Sequence, residues 1–138
     1  MKLIFLDFDG VLTTRKTGYN FGDPAAVRAL NYITGRTGAE IVVSSTWRYF
    51  GLKKIIETLA AWGVTSSVRG LTGGFLPTRG DEIAAWLKEY KDMGIEPEKF
   101  VILDDDSDMG SLALYLVKTS TEDGLQDFHA VEAIRVLE

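Results

Sequence analysis

The chain is predicted to fold as an α/β protein, a three-layer sandwich around a central parallel sheet of about five strands. Two observations lead there. Short apolar runs alternate with amphipathic helical stripes along the 138 residues, and each parallel connection must cross a face of the sheet, which puts helices on both sides. The polar residues able to do chemistry stand immediately after apolar runs, where open α/β sheets bind their ligands.

Leu3 to Leu6 is a continuous apolar run ending at Asp7, the pattern of a strand buried on both faces. Asp23-Pro24 supplies an N-cap and a first-turn proline for a helix with Val27, Leu30 and Ile33 on one side. Ile41 to Val43 reads as a second strand breaking into Ser44-Ser45-Thr46. Ile55, Ile56, Leu59 and Trp62 recur at helical spacing over Leu52 to Trp62, and Gly63 is placed to end that helix. Val64 to Val68 is expected as the third strand. Thr78 and Asp81 have capping-box spacing ahead of the stripe Ile83, Trp86, Leu87 and Tyr90. Phe100 to Leu103 is a fourth apolar run ending in three aspartates, and Leu112 to Val117 a fifth. A last helix is expected to carry Phe128, Val131, Ile134 and Leu137.

This length suits one domain spanning residues 1–138, and 46% hydrophobic with 25% charged residues is a globular rather than a disordered balance. A net charge of -5 lacks the footprint of a strong binder of nucleic-acid backbone or anionic membrane. The absence of cysteine excludes disulfide scaffolds, thiolate metal sites and cysteine nucleophiles. The apolar stretch at the N-terminus is too short for a signal peptide or a membrane span, so a cytoplasmic location and no membrane partner are expected.

Three predicted strand ends carry the candidate chemistry: Asp7 and Asp9, then Ser44 to Thr46, then Asp104 to Asp106. Parallel neighbours bring such ends to one edge of the sheet. Gathering carboxylates there is costly without a cation, and oxygen-only ligation suits a hard ion such as Mg²⁺. With Asp7-Phe8-Asp9-Gly10-Val11-Leu12 near the start, a hydroxyl after the second strand and an acidic pair later, the chain resembles the haloacid dehalogenase superfamily.

That resemblance implies a Mg²⁺-dependent phosphomonoester hydrolase, in which Asp7 attacks phosphorus to form an aspartyl-phosphate and Asp9 is the general acid and base. It implies Mg²⁺ held by the Asp7 carboxylate, the Asp9 carbonyl and the Asp104 carboxylate. Asp105 would orient metal-bound water, with Asp108 its substitute in the family's spaced variant. Ser44 matches the phosphate-binding hydroxyl, Ser45 standing as an alternative, and Gly10 of the hexapeptide is a further candidate substrate contact. Where the family places a lysine, this chain has Arg79, which binds phosphate bidentately but is not a compact point charge.

Ser44-Ser45-Thr46-Trp47-Arg48, Arg79 with Glu82-Ile83 and Trp86-Leu87, Ile102 to Asp105 and Gly124-Leu125 together look most like the small domains of multidomain RNA-repair proteins. The implied partner is a phosphorylated substrate such as a nucleotide or nucleic-acid end, with Arg48 a candidate for a second phosphate or the nucleotide. The short connections after Leu12 and after Gly63 leave no room for a full cap domain; Thr13 to Gly22, with Tyr19 and Phe21, is a candidate flap. The three tryptophans read as packing residues, and His129 receives no catalytic role. Two other readings remain: a catalytically silent module that binds Mg²⁺ and phosphate, and a phospho-receiver domain, whose acidic pair would come at the first strand instead of late.

Overall fold

The computed structural model describes residues 1–138 and has five parallel strands: β1 (Lys2–Leu6), β2 (Glu40–Val43), β3 (Val68–Leu71), β4 (Lys99–Asp104) and β5 (Leu116–Lys118). They lie in the order β3-β2-β1-β4-β5. The chain therefore winds outward from β1 to one edge, then returns to the other side of β1 with β4. The junction of β1 and β4 is a topological switch point, where such sheets open a ligand crevice. Four α-helices connect the strands: α1 (Pro24–Thr37), α2 (Leu52–Trp62), α3 (Arg79–Asp92) and α4 (Asp127–Leu137). None is long and apolar enough to cross a membrane.

Strand alternation divides the core in two. Ile4, Leu6, Ile41, Val43, Val101 and Leu103 face α1, α2 and α4 in a cluster of 24 buried residues. Leu3, Phe5, Val42 and Ile102 face the other way, toward Ile83 and Trp86 of α3, in a cluster of 7. The helix starts are as chemistry demands. Asp23 accepts from the Ala25 amide ahead of Pro24, and Thr78 accepts from the Asp81 amide at the start of α3.

Three expected elements are displaced. The third strand runs over Val68–Leu71, not Val64 to Val68. Val64 is still tied to the end of α2 through Leu59, Thr65 to the Asn31 side chain and Ser66 to Ala39, so pairing along the sheet starts later. Of the fifth apolar run, Gly110–Tyr115 is a 3₁₀ turn and only Leu116–Lys118 pairs with β4, because the Leu112 amide bonds back to Met109 and commits the segment to a tight turn. In α4 the buried stripe is Ala130, Ala133, Ile134 and Leu137, while Phe128 and Val131 face solvent. That helix packs on α1, and the buried stripes of both include pairs of alanines. In α2, Ile56 is likewise exposed.

Candidate active site

Strand register places the first two carboxylates. Leu6 pairs with Leu103, so Asp7 and Asp104 emerge side by side from β1 and β4, and the Asp7 amide donates to the Leu103 carbonyl at 3.0 Å. Asp105 follows. Carboxylate oxygens of Asp7, Asp104 and Asp105 lie within 4.8 Å of one another. Gly10 leaves the space that Asp105 fills: its φ is +81°, and a Cβ there would strike the Asp105 carboxylate. The Gly10 amide itself donates to Thr13.

Arg79 opens α3 and points its guanidinium back across this cluster. One terminal nitrogen is 3.5 Å from Asp7 and 3.5 Å from Asp104, and Nε is 3.4 Å from Glu82. A lysine ammonium is a single point and could not serve partners on three sides through two separate nitrogens. Asp108 fixes where that helix begins, since its carboxylate accepts from the Arg79 amide at 3.1 Å and its carbonyl accepts from the Gly80 amide. Gly80 lies so close to the Met109 backbone that no Cβ fits.

Burial raises the Asp7 carboxyl to about 8; the neighbouring Asp104 charge adds to this, while the Arg79 guanidinium and the Phe8 amide oppose it. Asp104 is raised to about 6, again chiefly by burial, against the Asp106 amide and Arg79. A cavity of about 380 Å³ opens onto them, walled by six carboxylates (Asp7, Glu82, Asp104, Asp105, Asp106, Asp108) against two guanidiniums, Arg48 and Arg79. The donor set fits a hard divalent cation: three clustered carboxylates, two of them buried, whose charge two arginines do not offset.

The other sequence candidates sit around this cavity in different ways. Asp9 is outside its wall; one carboxylate oxygen accepts from Thr13 Oγ1 at 2.8 Å and from Trp47 Nε1 at 3.0 Å, and its backbone carbonyl accepts no backbone hydrogen bond. Ser44 is fully buried, and its hydroxyl has no partner within the protein. Ser45 caps the following 3₁₀ turn by accepting from the Trp47 amide. Thr46 is the hydroxyl of this run that lines the cavity. Arg48 lines it too, but one nitrogen pairs with Glu82 at 2.9 Å and another donates to the carbonyls of Ser44 and Ser45. Thr13 to Gly22 does not wall the cavity. It is held against the loop after β5 by Arg15 with Glu122 and by the Tyr19 hydroxyl donating to the Thr121 carbonyl.

Other residues had no expected part in the site. Glu82 is buried between the two arginines and joins Arg48 to Arg79. Its signal in the sequence was an acid beside Ile83 on the inward face of α3. Tyr49, Phe75, Leu76 and Pro77 form the apolar side of the cavity. Trp47 packs on Phe8 and Trp62 and also orients Asp9. His129, remote from the cavity, is a capping residue: its Nδ1 accepts from the Gln126 amide, and burial lowers its pKa.

Carboxylates at the ends of β1 and β4 of a parallel sheet, with a cation drawn across them from the helix that precedes β4, are the arrangement of a haloacid dehalogenase (HAD) type domain. A model of the HAD domain in Swiss Army Knife RNA repair proteins matches residues 3–130, and the chain belongs to that family. No curated protein and no solved structure matches it significantly. A HAD domain brings a phosphatase-type fold, and the Asp7, Asp104 and Asp105 cluster is its candidate metal site.

Proposed function

We propose that this domain hydrolyses phosphate monoesters through an aspartyl-phosphate on Asp7, with Mg²⁺ as cofactor and a nucleotide or nucleic-acid end as substrate. The observation that carries the reading is the placement of Asp7: a buried carboxylate at the switch point, 3.5 Å from Arg79 and clustered with Asp104 and Asp105. The Asp7 and Asp104 carboxylates and the free Asp9 carbonyl would hold Mg²⁺, with Asp105 beside it, and the ion would supply the positive charge that lets an anionic phosphate approach an anionic nucleophile.

The chain's own residues carry the steps. Arg79 binds the phosphate oxygens, and the Thr46 hydroxyl on the cavity wall is a donor suited to the same oxyanion, while the partnerless Ser44 hydroxyl lies buried behind that wall. An Asp7 oxygen bonds to phosphorus as the ester bond to the leaving oxygen breaks, and protonated Asp9 gives that oxygen its proton. Ionised Asp9 then takes a proton from water, which bonds to phosphorus while the bond to Asp7 breaks and phosphate leaves. Thr13 and Trp47 fix which Asp9 oxygen is free for this transfer. Ser45 and Gly10 act through backbone geometry, and Arg48 acts through Glu82 on Arg79.

The test is hydrolysis of p-nitrophenyl phosphate. The expected outcome is activity that needs Mg²⁺, vanishes with chelator and is absent in Asp7→Asn; equal turnover by the variant and the wild type would rule out the nucleophile. The family's association with RNA repair supports the substrate class.

A further inference from the structure

We infer that Tyr49 and Phe75 form a stacking platform that selects substrates carrying a planar base next to the phosphate. This deepens the phosphatase reading and rests on it for the position of the phosphate. Phe75 is 92% exposed and Tyr49 59%, yet both line the cavity that holds Asp7 and Arg79. Their rings lie 5.8 Å apart at 45° to each other. The Arg48 guanidinium sits 5.1 Å above the Tyr49 ring, which fixes that ring against a buried ion pair.

Phe75 has a φ of +70°, a left-handed backbone that is a genuine outlier for a bulky side chain. Burial does not offset that strain, because the ring faces solvent. An aromatic held in a costly conformation, outside the core and on the wall of a reactive cavity, is placed for a ligand rather than for the fold.

The occupant follows from chemistry at the two ends of the cavity. One end offers Arg79 and a candidate cation site to a phosphate; the other offers two rings with little polar functionality. At about 380 Å³ the space falls in the usual range for small-molecule sites, roughly 300–1,000 Å³, and takes one nucleotide rather than a length of strand. Both arginines are engaged by carboxylates and the net charge is -5, so affinity from phosphate-backbone contacts is weak. Stacking is the means of grip that remains, and it tolerates any base.

The experiment compares adenosine 5′-monophosphate with ribose 5-phosphate, which differ only in the base. The expected result is a lower KM for the nucleotide, with the preference reduced about tenfold in Phe75→Gly and in Tyr49→Ala, and kept in Phe128→Ala, an exposed aromatic elsewhere. Phe75→Gly should melt no lower than wild type, because glycine relieves the left-handed backbone; a lowered Tm would make the ring structural and overturn the platform. Equal KM values in wild type would overturn it as well. So would an unchanged preference in Phe75→Gly, including the case where that variant dissolves a dimer and the rings prove to be a self-association patch. If no ester is turned over, the phosphatase reading fails by itself. Calorimetric binding of the same two compounds to wild type with Mg²⁺ then decides the platform: tighter nucleotide binding supports it, and equal binding overturns it.

Discussion

The face of the sheet under α1, α2 and α4 is a broad apolar layer of 24 buried residues, whereas the face under α3 buries 7. The two faces are held by different means. The broad one relies on volume and packing, while α3 is pinned by polar tethers at its first turn: Asp108 to the Arg79 and Gly80 amides, and Glu82 to two arginines. Arg79 therefore rides on the thinner layer, and the geometry of the cavity and local stability depend on the same bonds.

The largest expected effect comes from cutting a tether. Glu82→Ala leaves the buried Arg48 charge without its carboxylate partner and should cost about 3–5 kcal/mol in urea unfolding, with activity lost because Arg79 loses its brace. Replacing both residues, Arg48→Met with Glu82→Leu, should recover much of the stability and none of the activity. If Glu82→Ala unfolds like wild type, packing alone holds α3.

Next come paired truncations. Leu30→Ala on the broad face should cost about 2–5 kcal/mol while the kcat of the folded fraction stays at the wild-type value. Ile83→Ala on the α3 face should lower kcat as well, since its helix delivers Arg79. Equal kcat in the two variants would dissolve the distinction between the faces.

A pH titration gives a smaller effect. Asp7 titrates at about 8 and Asp104 at about 6 in the folded chain, against an unfolded value near 3.8. The native state then holds more protons than the unfolded one, so without metal the stability falls as pH rises from about 4 to 8. Mg²⁺ binds the ionised carboxylates of the native state and should raise Tm at pH 8 far more than at pH 5. A Mg²⁺ effect of the same size at both would contradict the assignment of those groups.

The smallest effect lies on the broad face. Burial lowers the His129 pKa from 6.5, so the unfolded state takes up the proton first and stability declines as pH falls below that value. His129→Gln should flatten that acid limb in a Tm-against-pH series; an unchanged limb would assign it to other groups.

Much of this was legible in the sequence. The apolar runs before Asp7 and Asp104 fix strand ends, and a parallel sheet does the rest by register, so the acidic cluster could be read from spacing. Asp23-Pro24 and Thr78 with Asp81 name their helix starts through hydrogen-bond chemistry that is local. What escaped was set by tertiary contact. The apolar run Leu112 to Val117 looks like a strand until the Leu112 amide finds Met109. Phe128 and Val131 are as apolar as Ile134, yet the face of α4 that packs on α1 is the one bearing the alanines. Ser45 and Thr46 are chemically alike, and the 3₁₀ turn decides which becomes a cap and which faces the cavity. Nothing local to Phe75 announces a left-handed backbone at a bulky residue.

The contact of Gly80 with Met109 has a consequence for motion. With no gap between them and the first two amides of α3 bonded to Asp108, the start of α3 and the loop after β4 are held together. Gly73–Pro77, on the cavity wall, makes no backbone hydrogen bonds, so by that measure it is held less firmly than α3. Under the proposed function, a proline placed in that stretch should slow ligand exchange without touching a single charged group.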